Sequence, residues 1–379
     1  MGPLTGLKLI EIASIGPGPF CGMMLSDMGA EIIRIDRIGG IPGRENRTDD
    51  VLGRGRRSVA VNLKEKKGQE IVLKLCQQAD GLFEGMRPGV AERIGIGPES
   101  CMANNARLVY GRMTGWGQDG PLAKSAGHDL NYIALSGALH GIGKEGEPPT
   151  VPLNLVGDFG GGGLMLAFGM VCALFEAKNT GEGQVVDASM VDGSAALMAN
   201  FFTLKNINDY TPQRGNHFVD GGSHFYNVYE TKDKRYVSIG SLEKQFYEIL
   251  KETLSLSEEE FGEQMNRAAW PSQKEKLKTI FLTKTQAQWD QIFEGTDVCY
   301  APVLSIWDAP QHPHNEARKT FIEVDGVQQP APAPRYSRTQ PAKPAGPQRV
   351  GQDTSSALLD WGFSEVEVED YLQSGVIAS

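Results

Sequence analysis

The chain has 379 residues, 46 of them glycine, with 37 basic side chains against 47 acidic ones and a formal net charge of −10. That length allows two domains and a large core. Glycine without a short repeat excludes collagen and solenoid architectures, and the acidic balance argues against a nucleic-acid binder. The five cysteines, Cys21, Cys76, Cys101, Cys172 and Cys299, are scattered with no Cys-x-x-Cys. Zinc and thiol-exchange sites therefore have no support, and reduced thiols in a cytoplasmic protein are expected. No basic-then-apolar leader is expected at the start. The longest apolar stretch, 164–175, is too short to span a bilayer, so no membrane partner is expected. The final Val-Ile-Ala-Ser is not a peroxisomal address.

In chain order, residues 7–13 read as a buried strand, Gly16-Pro17-Gly18-Pro19 as its break, and 20–28 as a helix ended by Gly29. Residues 30–36 are again strand-like, which makes a strand–helix–strand unit of a parallel sheet. Strands at 59–63, 81–84 and 108–112, with a helix at 65–78, extend it. Residues 1–200 thus form a large doubly wound domain. The polar stretch 201–224 suits a linker. Strands at 226–230 and 235–239 flank Lys232-Asp233-Lys234 as a hairpin, and helices at 255–262 and 273–282 complete a smaller α+β domain over 225–324. Residues 330–347, rich in Pro and Ala, read as an extended tether. The final helices, 354–361 and 364–374, make 325–379 a return to the large domain. Ser364 and Glu367 have capping-box spacing, and Gly375 stops the last helix.

Two segments carry candidate chemistry. Asp158 sits in Asn154-Leu-Val-Gly-Asp-Phe-Gly-Gly-Gly-Gly163, just before an apolar run that reads as a helix. Glycines expose backbone N–H groups to a ligand, and a helix N-terminus favours negative charge. A base beside an anion site is what a reaction through an enolate requires. Gly127-His128-Asp129 supplies a second proton-transfer group that titrates near neutrality. The structural alternatives are a capping or loop histidine and a helix-capping aspartate.

Gly16-Pro-Gly18-Pro-Phe-Cys-Gly22 is not a dinucleotide fingerprint. Its third glycine is one place late, and two prolines remove N–H donors. Basic residues follow several strands: Arg37, Lys64, Arg87 and, further on, Arg93, with Arg54-Gly-Arg-Arg57 as another cluster. Ligands of such sheets bind outside the carboxyl ends of the strands. Together these residues suggest a site for a multiply phosphorylated nucleotide, although each alone reads as surface decoration.

Pro17-Gly18-Pro19, the 30–37 strand, Arg54-Gly-Arg-Arg57, Arg87-Pro-Gly, Gly115-Trp-Gly-Gln118, Gly127-His-Asp129, the Asn154–Gly162 motif and Val186-Asp-Ala-Ser-Met-Val-Asp-Gly193 resemble the α-methylacyl-CoA racemases, within the family III CoA-transferase superfamily. The resemblance covers nearly the whole chain. It implies an α/β fold with a large open parallel-sheet (Rossmann-like) domain, a smaller α+β domain, and an interlocked homodimer. It implies a 2-methylacyl-CoA substrate whose (R) and (S) forms interconvert by 1,1-proton transfer, with no metal and no cofactor beyond the CoA of the thioester itself. The catalytic pair carries over onto His128 and Asp158, accompanied by Asn154, with backbone N–H groups around Asp158 as donors to the thioester oxygen. A third residue carries over onto Glu243, contributed by the small domain of the other subunit, where many family members have proline at the position of Lys244. The implied CoA contacts are Arg37, Val61, Leu63, Lys64, Gly85, Met86, Arg87, Arg93, Asp129 and Tyr132. The alternatives are a CoA-transferase using Asp158 as nucleophile and a catalytically silent CoA-binding protein.

Overall fold

The computed structural model describes residues 2–40 and 48–379. The chain divides into two compact units, Met1–Ser136 with Leu153–Leu197 and Lys319–Ser379, and Gly137–Pro152 with Met198–Arg318. Composition gave no sign that 137–152 groups with the second unit. The span read as a linker also begins inside a helix, Ala199–Asn206.

The first unit is built on strands β1 (Lys8–Ile12), β2 (Glu31–Asp36), β3 (Arg57–Val61), β4 (Gly81–Glu84), β5 (Val109–Thr114) and β6 (Val185–Ser189). Their spatial order is β3-β2-β1-β4-β5-β6, all parallel, and the short strand Ile377–Ala378 adds antiparallel outside β3. Strands β1, β2, β4 and β5 are nearly all buried. Parallel strands covered on both faces read as continuous apolar runs, which is why they were legible. β6 was not expected. It lies at the sheet edge, has only its last two residues buried, and places Asp187 at its centre. The strand order reverses between β1 and β4, and open sheets bind ligands at such a point, beyond the carboxyl ends of the strands.

Helix α1 (Pro17–Asp27) starts three residues before the expected place. Pro17 is tolerated in the first turn because no intrahelical bond needs its N–H. Gly22 on this helix makes room for Glu11 near the end of β1, since a Cβ there would stand 2.4 Å from Glu11 Oε2. Glu11 is fully buried and paired to Arg56 at 3.0 Å. Helix α2 (Lys66–Cys76) packs its Ile71, Val72 and Leu75 into the core cluster shared with the C-terminal helices. At the C-terminus, Glu365–Gln373 has the expected capping box: Glu367 N–H donates to Ser364 Oγ, and Ser364 N–H to Glu367 Oε2. Gly375 takes φ 69° after it.

The second unit has a three-stranded antiparallel sheet, Tyr226–Glu230, Tyr236–Gly240 and Tyr300–Val303. The hairpin turns at Lys234 with φ 61°. Its core is aromatic, including Phe225, Tyr229, Trp270, Phe281, Trp289 and Phe293. Helices Trp270–Phe281 and Gln286–Phe293 contribute most of these rings.

Candidate active site

Helix α3 (Asp129–Leu135) carries His128 at its N-cap, exposed to solvent. His128 N–H donates to Asn131 Oδ1 at 3.0 Å. The next residue, Asp129, is 6% exposed. Its Oδ2 accepts from the N–H groups of Gly157 and Asp158, both at 2.7 Å. The helix bearing His128 is thus bonded to the turn bearing Asp158.

That turn belongs to a wide π-type helix, Leu155–Leu164, which runs directly into α4 (Met165–Thr180). The glycines were expected to stay non-helical and to face a ligand. They do neither. Gly157, Gly161, Gly162 and Gly163 are buried. A Cβ on Gly161 would stand 2.6 Å from Ser194 N, one on Gly163 2.6 Å from Pro17 O, and one on Gly162 2.9 Å from a Met190 side-chain carbon. The glycines let this helix approach α1 on one side and α5 (Met190–Leu197) on the other. Such packing outweighs their low helix propensity. Of the N–H groups expected as oxyanion donors around Asp158, those of Gly157 and Asp158 are taken up by Asp129. The combined run Leu155–Thr180 is long and apolar enough by composition to cross a membrane. Its Leu166, Met170, Ala173 and Ala177 lie in the core cluster of the sheet.

The Asp158 carboxylate is half-buried above the loop between β1 and α1. A Cβ on Gly16 would lie 3.3 Å from its Oδ2. Asn154 Nδ2 donates to the same oxygen at 3.0 Å. Burial raises the proton affinity of Asp158 above the ordinary carboxylate range. The Asn154 bond opposes that rise, the charge of Asp129 adds to it, and a protonated His128 opposes it. Asp158 is therefore a stronger base than a solvated aspartate, and His128 lies within its electrostatic reach.

The expected CoA contacts fall into two groups. Arg37, Lys64, Arg87 and Arg93 are exposed, and among the described residues none is engaged in an ion pair. Arg37 directly follows β2, and Lys64 and Arg87 each stand three residues beyond the ends of β3 and β4. They share the carboxyl edge of the sheet with Gly16 and with the exposed Gly85. Val61 is instead 1% exposed inside the core, and Leu63 and Met86 pack against it. Tyr132 is 6% exposed and packs edge-on against Trp116, its hydroxyl donating to Gly127 O. Burial, then the charge of Asp158, raises its phenol, while Arg87 opposes them, so Tyr132 lies within electrostatic reach of each of the two. Tyr132 and Asp129 thus support the site loops with their side chains.

Arg54-Gly-Arg-Arg57 is not a nucleotide cluster. Arg54 is buried on Asp27, Arg56 on Glu11, and Arg57 reaches Asp360 at 2.8 Å. Glu243 stands at the N-cap position of the helix Lys244–Leu254 in the second unit, exposed and without a side-chain capping bond. Three features escaped the sequence reading. Glu84 at the end of β4 is buried against Arg112, and burial pushes its carboxyl up to about 7. Glu84 also accepts the Met86 N–H, which holds the turn leading to Arg87. Ser14 Oγ is buried without a partner among the described residues, beneath Gly18 and Gly85. Only the glycines around Ser14 could have signalled such crowding. Among the described residues, no group of three or more His, Cys, Asp or Glu side chains is arranged to hold a metal.

The sequence model of CoA-transferase family III matches residues 4–354. The chain is 44% identical to the alpha-methylacyl-CoA racemase of Mus musculus over 369 residues, covering 96% of this chain and 95% of that one. It is 41% identical to the protein of that name from Homo sapiens, over 99% and 98% of the two chains. The fold is similar to the crystal structure of a CAIB/BAIF family protein from Brucella suis, with a TM-score of 0.80 and 23% identity over 95% of this chain and 99% of that one. With a match of that extent, this chain belongs to CoA-transferase family III.

Proposed function

We propose that this protein is a racemase that interconverts (R)- and (S)-2-methylacyl-CoA thioesters by 1,1-proton transfer. The observation that carries the reading is Asp158, made more basic by burial and lying within electrostatic reach of His128 on the same unit. The names of the two relatives with over 40% identity agree with it.

The α-proton of an acyl thioester is weakly acidic, and its removal leaves an enolate with charge on the thioester oxygen. In one direction the Asp158 carboxylate takes the α-proton, and protonated His128 gives its own proton to the opposite face. The configuration inverts, leaving Asp158 protonated and His128 neutral. The reverse direction uses these forms in exchanged roles, so the pair carries one proton throughout. Each positioned acid or base contributes roughly 10²–10⁴-fold. Asn154 keeps Oδ2 of Asp158 hydrogen-bonded. The basic residues at the strand ends would take the CoA phosphates. The chemistry calls on no metal or redox group. In the CoA-transferase alternative Asp158 is a nucleophile that forms an anhydride, and a second base beside it has no task.

The homodimer is also proposed. Leu164, Phe168, Val171 and Phe175 are 46%, 66%, 38% and 69% exposed, and their spacing puts them along one face of a single helical run. An apolar stripe of that kind marks an interaction surface. Glu243 from the second unit of the partner protomer is proposed to assist His128, and a cytoplasmic location is proposed from the dispersed thiols.

The test is to incubate one epimer of a 2-methylacyl-CoA with the protein, with and without an added carboxylic acid, and to separate the products by chiral chromatography. Equal amounts of both epimers should appear without the acid. Unchanged configuration together with CoA appearing on the added acid would establish the transferase instead.

A further inference from the structure

We infer that Asp129 is a positioning residue that locks the turn carrying Asp158 onto the helix carrying His128, and thereby sets the spacing of the two bases. The inference deepens the racemase reading and rests on it for the catalytic consequences.

Asp129 is joined to His128 by a peptide bond and to the Asp158 turn by two hydrogen bonds of 2.7 Å from consecutive N–H groups. One side chain therefore links the two candidate bases. Bonds from N–H groups to an ionised carboxylate are among the strong ones. The donors belong to the first turn of the π-type helix, where N–H groups lack intrahelical partners. Gly157 is part of the device, because a Cβ there would sit 2.6 Å from Asp129 Oδ2 and displace it. The other oxygen, Oδ1, is buried with no hydrogen-bond partner among the described residues. The carboxylate is thus held on one side only, and its charge reaches Asp158.

Other groups around Asp158 are His128 and Tyr132 on the same helix and Asn154 on its own turn, with Arg87 beyond β4 facing Tyr132. From the remaining elements packed on this turn, Arg112 of β5 is paired with Glu84 and Glu92. Asp187 of β6 accepts from Gln118 N–H, and Asp192 of α5 from Ser189. α1 offers Gly16 and Pro17 there, with its Asp27 bonded to Arg54. Of the anions in this set, Asp129 is the one that raises the proton affinity of Asp158, after burial.

The test uses the full-length protein and the variants Asp129→Asn and Asp129→Ala. Hydrogen exchange by mass spectrometry follows the peptide around 154–164, epimerisation is measured from pH 5 to 9, and CoA binding is measured by calorimetry. The Asn variant keeps a carbonyl acceptor and loses the charge. Its amides should stay protected, its KM and CoA affinity should stay within about twofold of wild type, and the acid limb of its kcat profile should move to lower pH. The Ala variant should lose protection at two amides and drop in kcat by roughly 10²-fold, the scale of a small misplacement of reacting groups, with CoA affinity again unchanged. A tenfold loss of CoA affinity at normal kcat would overturn the inference and make Asp129 a CoA contact. Retained protection and kcat in the Ala variant, or an unmoved acid limb in the Asn variant, would also overturn it. If the Ala variant does not fold, the exchange and pH profile of the Asn variant still decide. Absence of epimerisation by the wild type would refute the racemase reading alone, and the exchange comparison would still judge the lock.

Discussion

Replacing Arg54 by methionine should unfold the first unit under conditions where the wild type is stable, without touching CoA recognition. The Arg54 and Asp27 side chains are each 1% exposed. The guanidinium donates to both oxygens of Asp27 at 3.0 and 2.6 Å, to Gln329 Oε1 at 2.9 Å and to Pro330 O at 2.7 Å. It ties α1 to the returning C-terminal segment. Methionine fills the space and leaves a buried carboxylate without its cation, a change that costs about 3–5 kcal/mol. Set against the 5–15 kcal/mol that typically hold a domain, that is a large fraction, equivalent to roughly 6–20 °C in Tm. Burial raises the proton affinity of Asp27 in spite of Arg54, so the pair itself brings little net gain over apolar side chains. The double variant Asp27→Leu, Arg54→Met should therefore recover most of the loss. A chain of two units need not unfold in one step, so urea unfolding is best followed by hydrogen exchange of peptides from the first unit. A loss below about 1 kcal/mol, the value of an exposed pair, would refute the reasoning, as would a double variant no better than the single. A fall in CoA affinity at unchanged stability would return Arg54 to the nucleotide site.

Arg37→Ala, Lys64→Ala and Arg87→Ala should each weaken CoA binding by about 3–10-fold, with the wild-type affinity falling as salt rises; calorimetry at two ionic strengths measures both. Asn154→Leu removes a hydrogen bond that favours ionised Asp158, so the acid limb of the kcat profile should move to higher pH, opposite to the shift expected for Asp129→Asn. Gly161→Ala drives a methyl group to 2.6 Å from Ser194 N and should cost about 1–3 kcal/mol by overpacking, read as a lowered urea midpoint.

The sheet of the first unit was legible because its inner strands are apolar on both faces, and the hairpin at Lys234 because charged turn residues separate two alternating runs. β6 was illegible because an edge strand with Asp187 at its centre has no such run. His128 and Asp158 stood out through residue type beside glycine. That those glycines are helical was not legible, since local propensity says nothing about Gly193 lying across from Gly161. Arg54, Arg56 and Arg57 read as a cationic cluster because their partners, Asp27, Glu11 and Asp360, are remote in sequence. The role of Asp129 was hidden for the same reason, as the N–H groups it holds are 28 and 29 residues away.

The most direct test of proton transfer at the α-carbon by His128 and Asp158 is proton NMR of a single 2-methylacyl-CoA epimer with the enzyme in D₂O and no second acid present. The account predicts loss of the α-proton signal, with deuterium appearing in both epimers as they interconvert, and loss of interconversion in His128→Ala and in Asp158→Asn. Interconversion with full retention of the α-proton, or undiminished turnover in either variant, would contradict it.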